Sequence, residues 1–179
     1  FCAVRPPGHH AETSRANGFC FINNAAVTAR YLQSKFNINK IAIIDFDVHH
    51  GNGTQEIFYN DKSVFYGSIH QHPLFPGTGV EADTGVGNIF NAPISSDTTR
   101  DKFMEIFETK ILKNVDLFEP EVILISAGFD AHKRDPLASI NLESEDYYTL
   151  TQNIVEIAKR HSNGRVISFL EGGYDLQSL

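Results

Sequence analysis

Two apolar runs, Ile41-Ala42-Ile43-Ile44 and Val122-Ile123-Leu124-Ile125, constrain the fold more than any other feature of the chain. Neither alternates with polar residues, so a strand built from either must be covered on both faces. Helical patterns intervene. Ile22, Ala25, Ala26, Ala29 and Leu32 keep helical spacing, as do Phe103, Phe107, Ile111, Val115 and Phe118, and again Tyr147, Leu150, Ile154, Ile157 and Ala158. Thr98-Thr99-Arg100-Asp101 reads as the start of the second helix, with Pro120 past its end, and Gly164 reads as the C-cap of the third. Strands are predicted over residues 1–4, 40–45, 63–69, 121–126 and 165–170. This alternation predicts a three-layer α/β/α fold with a mainly parallel sheet. Residues 71–87, with their Pro and Gly, read as a long loop of the kind that is functional or a lid.

The first apolar run leads into Asp45-Phe46-Asp47-Val48-His49-His50-Gly51-Asn52-Gly53-Thr54. In extended backbone Asp45, Asp47 and His49 share a face. Desolvated and unpaired, such groups are costly, and a bound cation relieves that cost, so the run reads as a metal site. Asp130 follows the second apolar run and is the natural third ligand, although a lone Asp after a strand is more often a cap or turn residue. Of the eight histidines, residues 9, 10, 49, 50, 70, 72 and 132 follow apolar runs or fall in loops, and only His161 lies in a helical pattern. Open α/β sheets bind ligands at the carboxyl ends of their strands, so the chemistry is predicted to gather at one rim. Arg5-Pro6-Pro7-Gly8-His9-His10 adds an imidazole pair able to act as base and acid, although a bare His-His is more often incidental. In Leu170-Glu171-Gly172-Gly173-Tyr174-Asp175 the glycines read either as a hinge that swings the Tyr174 phenol into a pocket or as a plain turn with a packing tyrosine.

The chain has 179 residues and a formal net charge of −7, which argues against nucleic-acid or anionic-membrane partners. Its two cysteines, Cys2 and Cys20, form no spaced framework and suggest a reducing compartment, the bacterial cytoplasm or, in a eukaryote, also the nucleus. No apolar run approaches the roughly 20 residues of a membrane span. With no initiator Met, the sequence reads as one partial domain over residues 1–179, truncated at both ends.

Together the segments RPPGHHAE (5–12), GFCFINNAA (18–26), DFDVHHGNGTQ (45–55), SIHQHPLFPGTG (68–79), AGFDAHKRDPL (127–137) and LEGGYDL (170–176) closely resemble the histone deacetylase family of the arginase–deacetylase superfamily. Asn52 and the Gly-Asn-Gly-Thr-Gln wording are similar to the class II branch and its bacterial relatives, which include acetylpolyamine amidohydrolases and acetoin-utilisation proteins. The resemblance implies Zn²⁺ held by Asp47, His49 and Asp130, with His9 and His10 as the catalytic pair and Tyr174 as the phenol that meets the substrate carbonyl. Fe²⁺ and Mn²⁺ also suit an oxygen-rich set. It implies that Asp45 orients His9 and that Asn52 stands beside His10, where class I enzymes carry Asp. A structural K⁺ would be bound by Asp45, Asp47, His49, Ser68 and Ile69, and a second cation is loosely suggested near Phe58, Asp61 and Val64. Gly18, Phe19, Phe75, Leu137 and Gly173 would border an acyl-lysine tunnel. The substrate class is then an acetylated lysine side chain or a related acetylated amine, cleaved to acetate and a free amine, with the oligomeric state left open. The vertebrate class IIa subgroup replaces the tyrosine by His, and this chain keeps Tyr174. Two alternatives stand beside this reading: a ureohydrolase-like enzyme with two Mn²⁺, and a non-catalytic acyl-lysine binder.

Overall fold

The computed structural model describes residues 1–179. Five parallel strands, β1 (Ile41–Asp45), β2 (Val64–Gln71), β3 (Ile89–Ile94), β4 (Val122–Ala127) and β5 (Val166–Leu170), form one sheet in the order β3-β2-β1-β4-β5. Helices α1 (Asn24–Phe36) and α2 (Asn52–Phe58) lie on one face. The other face carries α3 (Arg100–Ile106), a π-helical segment (Phe107–Leu112), α4 (Lys113–Phe118) and α5 (Ser144–His161). The expected three-layer α/β/α arrangement is therefore present.

The doubly apolar runs behave as sheet centre. Ile41 and Ile43 enter a 13-residue core beneath α1 and α2, whereas Ala42 and Ile44 enter a 24-residue core beneath the other helices. Val122 and Leu124 divide from Ile123 and Ile125 in the same way. Strand order reverses at β1. The chain winds out through β2 to β3, then crosses back under α3 and α4 to place β4 on the other side of β1. At such a switch point the loops leaving neighbouring strands part and open a crevice.

The segment from Arg100 to Phe118 is continuous but not uniformly α-helical. Phe103, Phe107, Ile111 and Val115 recur every fourth residue and all are buried. Four residues of α-helix overshoot a full turn by about 40°, so such a row drifts around the axis. The wider π turn over Phe107–Leu112 holds it against the sheet.

Four local expectations change. Residues 1–4 do not form a strand: only Cys2 bridges Phe169, since the Val4 N–H that would extend the ladder turns back to the Cys2 carbonyl at 2.9 Å. Strand β2 runs two residues past its predicted end, so His70 lies within the sheet, buried opposite Pro93, rather than in a loop. Strand β3 was not predicted because Asn91 and Pro93 interrupt its apolar pattern; as an edge strand it tolerates the proline. Helix α2 was missed because it is short and opens on Asn52-Gly53, poor helix formers.

Ile123 has no exposed surface and sits on β4 between β1 and β5. We expect Ile123→Ala to lower unfolding free energy by about 2–5 kcal/mol in urea titrations. A loss below about 1 kcal/mol would mean that β4 does not anchor the core as described.

Candidate metal centre and active site

The switch-point crevice collects residues from six segments. Past β1, Phe46 and Val48 turn into the core while Asp47 and His49 turn the other way, so strand-like alternation outlasts the strand itself. His49 Nδ1 lies 3.2 Å from Asp47 Oδ1 and 3.0 Å from Asp130 Oδ2. Asp130 enters three residues beyond β4, and its Oδ1 accepts the N–H of Val48 at 3.0 Å. One ligand atom from each of Asp47, His49 and Asp130 lies within 4.8 Å of the others.

The backbone comes unusually close to these carboxylates. Gly172 N donates to Asp47 Oδ2 at 2.7 Å. A Cβ at Gly172 would sit 2.1 Å from Asp130 Oδ2 and 2.6 Å from Asp47 Oδ2, and one at Gly128 would sit 2.2 Å from Asp47 Oδ2. The paired glycines thus serve close approach rather than a free hinge. Arg5 holds the carbonyls of Glu171 and Gly173 at 3.1 and 2.8 Å, and Tyr174 N donates to Asp135 Oδ2 at 2.7 Å. Both flanks of the turn are tied, and the Arg5 guanidinium lies 5.7 Å from the centre of the Tyr174 ring.

The two adjacent histidines stand in opposite environments. Their rings lie 4.0 Å apart between centres. Burial opposes a charge on His9, yet Asp47, Asp45 and Glu171 outweigh it and hold the imidazole well above its usual range. His9 Nδ1 meets Asp45 Oδ2 at 3.0 Å, and the Tyr66 hydroxyl donates to the same oxygen at 3.0 Å. Burial and then the neighbouring charge on His9 pull His10 down to about 3. His10 is therefore the neutral partner, its Nδ1 2.8 Å from Asn52 Oδ1. A pair driven apart in this way has the form of an acid–base division of labour.

A cation suits the remaining three groups. Burial and the charge of Asp47 push Asp130 upward. Burial opposes a charge on His49, but the bonds and charges of Asp130 and Asp47 push it up to about 10. His49 thus holds a proton against the two carboxylates, in the space that a cation would take. Two carboxylates and an imidazole with an open side match the ligand set of a catalytic divalent ion.

Beside this cluster lies a cavity of about 310 Å³ lined by His10, Gly18, Phe19, His49, Phe75, Leu137 and Tyr174. Gly18 has φ +51°, and a Cβ there would lie 2.2 Å from His10 Cδ2, so this turn presses directly on the imidazole. Phe75 meets His10 edge-on, with ring centres 5.0 Å apart. Of the expected tunnel residues, only Gly173 is not on the lining; it sits behind Tyr174, against Phe129 and Leu179.

Some residues lie apart or were missed. Ser68 pairs with Asp45 across β1 and β2, and its hydroxyl meets His70 Nδ1 at 2.9 Å. His50 and His70 face each other with ring centres 4.7 Å apart. They hold Thr78 Oγ1 and the Gly79 carbonyl at 2.7 and 2.9 Å, so the 71–87 loop is tethered at its middle. The carbonyls of Phe58, Asp61 and Val64 do converge, on the side-chain nitrogen of Asn88 at 2.8, 3.0 and 2.9 Å. Sequence reasoning assigned nothing to Glu171, which has no exposed surface. It accepts Gly8 N, His9 N and the Ser126 hydroxyl at 2.6, 3.0 and 3.0 Å. The available signal was positional, since Glu171 directly follows β5 as Asp45 closes β1.

A parallel sheet with an Asp-His-Asp cluster at its switch point has the arginase–deacetylase fold. The family model for the histone deacetylase domain matches residues 1–179, and the chain belongs to the histone deacetylase family. It is 43% identical over 183 residues to histone deacetylase 14, chloroplastic, of Arabidopsis thaliana, covering 100% of this chain and 43% of that protein. It is 41% identical over 181 residues to a probable deacetylase of Archaeoglobus fulgidus, covering 99% of this chain and 50% of that protein. The crystal structure of an HDA15 HD domain superposes with a TM-score of 0.91 at 41% identity, covering 98% of this chain and 50% of that one. The chain thus spans about half the length of these relatives, or somewhat less. No helix is long and apolar enough to cross a membrane.

Gly172→Ala should weaken the affinity of the Asp47–His49–Asp130 cluster for an added divalent cation by at least about 10-fold, the lower end of what disturbing a metal's surroundings costs. Titration against a chromophoric chelator reads this, with circular dichroism confirming an intact fold. Unchanged affinity would show that the close backbone approach does not shape the carboxylate pair.

Proposed function

We propose that the chain carries the reaction centre of a metal-dependent deacetylase that hydrolyses the acetyl amide of acetyl-lysine or a related acetylated amine. The observation that carries this reading is the convergence of the Asp47–His49–Asp130 cluster, a charged and a neutral histidine, and Tyr174 on one aromatic-walled cavity. Zn²⁺ is the ion assigned to the three ligands, with Fe²⁺ and Mn²⁺ compatible with the same donors. When bound, the ion supplies a Lewis acid for the acyl carbonyl and lowers the pKa of water.

The chain's own groups do the rest. His10 is uncharged, and with Nδ1 committed to Asn52 its Nε2 is the atom that takes a proton from the attacking water. Once protonated there, the same nitrogen returns the proton to the departing amine. His9, paired to Asp45, is drawn toward its charged form by the surrounding carboxylates and offsets their negative charge. The Tyr174 hydroxyl is held protonated by burial and by the nearby Asp47 and Asp130 charges, so it can donate to the developing oxyanion. Phe19 and Phe75 flank the space for a linear alkyl chain, with Gly18 and Leu137 completing the wall. A structural K⁺ is assigned to the Asp45–Ser68 end of the sheet, with Asp47, His49 and Ile69 contributing.

The Asp45 carboxylate faces His9, Tyr66 and the Asp47 N–H rather than the Asp47–His49–Asp130 cluster, which leaves three ligands there and not the larger carboxylate set of a two-Mn²⁺ site. A non-catalytic binder would have no use for the split between His9 and His10.

Acetate release by the full-length protein from acetyl-lysine peptides and acetylpolyamines should disappear with a chelator and return with Zn²⁺. Release that is unaffected by chelation, or absent from the whole panel, would overturn this function. Tyr174→Phe should lower kcat by about 10²–10³-fold while retaining the metal. Equal turnover in variant and wild type would remove the oxyanion role.

A further inference from the structure

The neutral histidine of the pair meets no carboxylate directly. His10 Nδ1 lies 2.8 Å from Asn52 Oδ1, and on the far side of the same amide Asn52 Nδ2 lies 2.7 Å from Glu12 Oε1. We propose that Glu12 is a positioning residue for the reaction: it fixes which end of the Asn52 amide faces His10 and so holds His10 as the Nδ1–H tautomer, with Nε2 free to accept a proton. Its catalytic consequence rests on the reading of His10 as the general base.

The two ends of an amide are not equivalent. The oxygen only accepts and the nitrogen only donates. Turned over, Asn52 would present its NH₂ to His10 Nδ1. That arrangement favours a bare Nδ1 and a proton on Nε2, which leaves no lone pair facing the cavity. The imidazole cannot decide between the two orientations, because either of its neutral forms satisfies one of them. The group behind Asn52 decides. An ionised carboxylate accepts and never donates, so Glu12 is compatible only with the NH₂ end of the amide.

The surrounding structure holds both partners at this distance. Asn52 is the first residue of α2 and is buried. The next two N–H groups of that helix, from Gly53 and Thr54, donate to the His9 carbonyl at 3.0 and 3.2 Å. The start of α2 and the strip carrying His9, His10 and Glu12 are thereby joined. Glu12 N donates to Arg15 O at 3.0 Å, which closes the turn that carries its side chain. Neighbouring polar groups are committed elsewhere: Thr13 bonds Glu56 through both its N–H and its hydroxyl, at 3.0 and 2.8 Å. The Glu12 carboxylate is thus directed to Asn52.

Charge is conserved in this arrangement while its position moves. His9 has a carboxylate in direct contact, Asp45, and is held charged; His10 has one an amide further away and stays neutral. A carboxylate placed directly on His10 Nδ1 would give the same tautomer, provided that it did not face Glu12. The roles of residues 12 and 52 are therefore exchangeable as a pair and not singly.

Full-length protein labelled with ¹⁵N-histidine tests this. In wild type the His10 resonances, assigned by their loss in His10→Ala, should show a protonated Nδ1 and a bare Nε2. In Glu12→Gln, whose amide can either donate or accept, the bare-Nε2 signature should weaken or vanish. The kcat for acetate release should fall about 10–100-fold, the range for a residue that orients another, with KM and bound zinc unchanged. Asn52→Asp alone should also be impaired, since it sets two carboxylates against each other. Glu12→Gln combined with Asn52→Asp should recover kcat above either single variant. A wild-type His10 that carries its proton on Nε2 overturns the proposal whether or not any variant folds. So does Glu12→Gln with wild-type kcat, or a double variant no better than the singles. If no substrate yields acetate, the deacetylase reading fails, while the ¹⁵N pattern still decides the role of Glu12.

Discussion

Four carboxylates without exposed surface, Asp45, Asp47, Asp130 and Glu171, are brought together where the sheet changes direction. Burying an ionised carboxylate is among the most unfavourable acts in protein folding unless each oxygen is satisfied. Much of the local design follows from that requirement. N–H groups of Asp47, Val48, His49, Gly8, His9 and Gly172 all point at these oxygens. Residues 128 and 172 lack a side chain because a carboxylate oxygen occupies the space. The hydroxyls of Tyr66 and Ser126 are drawn in for the same reason.

The carboxylates also partition the histidines. His9 lies between Asp45 and Asp47 and is charged; His10, one residue further, faces an amide and is neutral. The aromatic wall presses on the second of these through Phe75 and the Gly18 turn. One side of the crevice is thus organised around fixed charge, and the other around an uncharged imidazole beside an aromatic-walled cavity.

The layered fold was legible because Ile41–Ile44 and Val122–Ile125 leave no polar face, a pattern that few arrangements other than a covered parallel sheet accommodate. The cluster of Asp47, His49 and Asp130 was legible because these are hydrophilic groups set directly after such runs. What stayed hidden depends on contacts between segments. Glu171 resembles any polar residue after a strand until Gly8 and His9 arrive against it. Glu12 carries no signal of its own, because its meaning depends on Asn52, 40 positions away. Strand β3 owes its existence to pairing with β2, which overrides the discouraging Asn91 and Pro93. The glycines before Tyr174 suggested freedom, whereas the tethers that fix them come from Arg5, Asp47 and Asp135.

The bond from Gly8 N to Glu171 spans 163 positions of sequence, so two segments far apart in the chain share one carboxylate. Contacts of such range form late, because closing the intervening loop must be offset by structure already in place. During synthesis, Asp45, Asp47 and His49 emerge early, but the His9 backbone gains its support only after residue 171 has left the ribosome. The crevice is accordingly completed only after residue 171 has been made, by which point all five strands of this sheet have been synthesised.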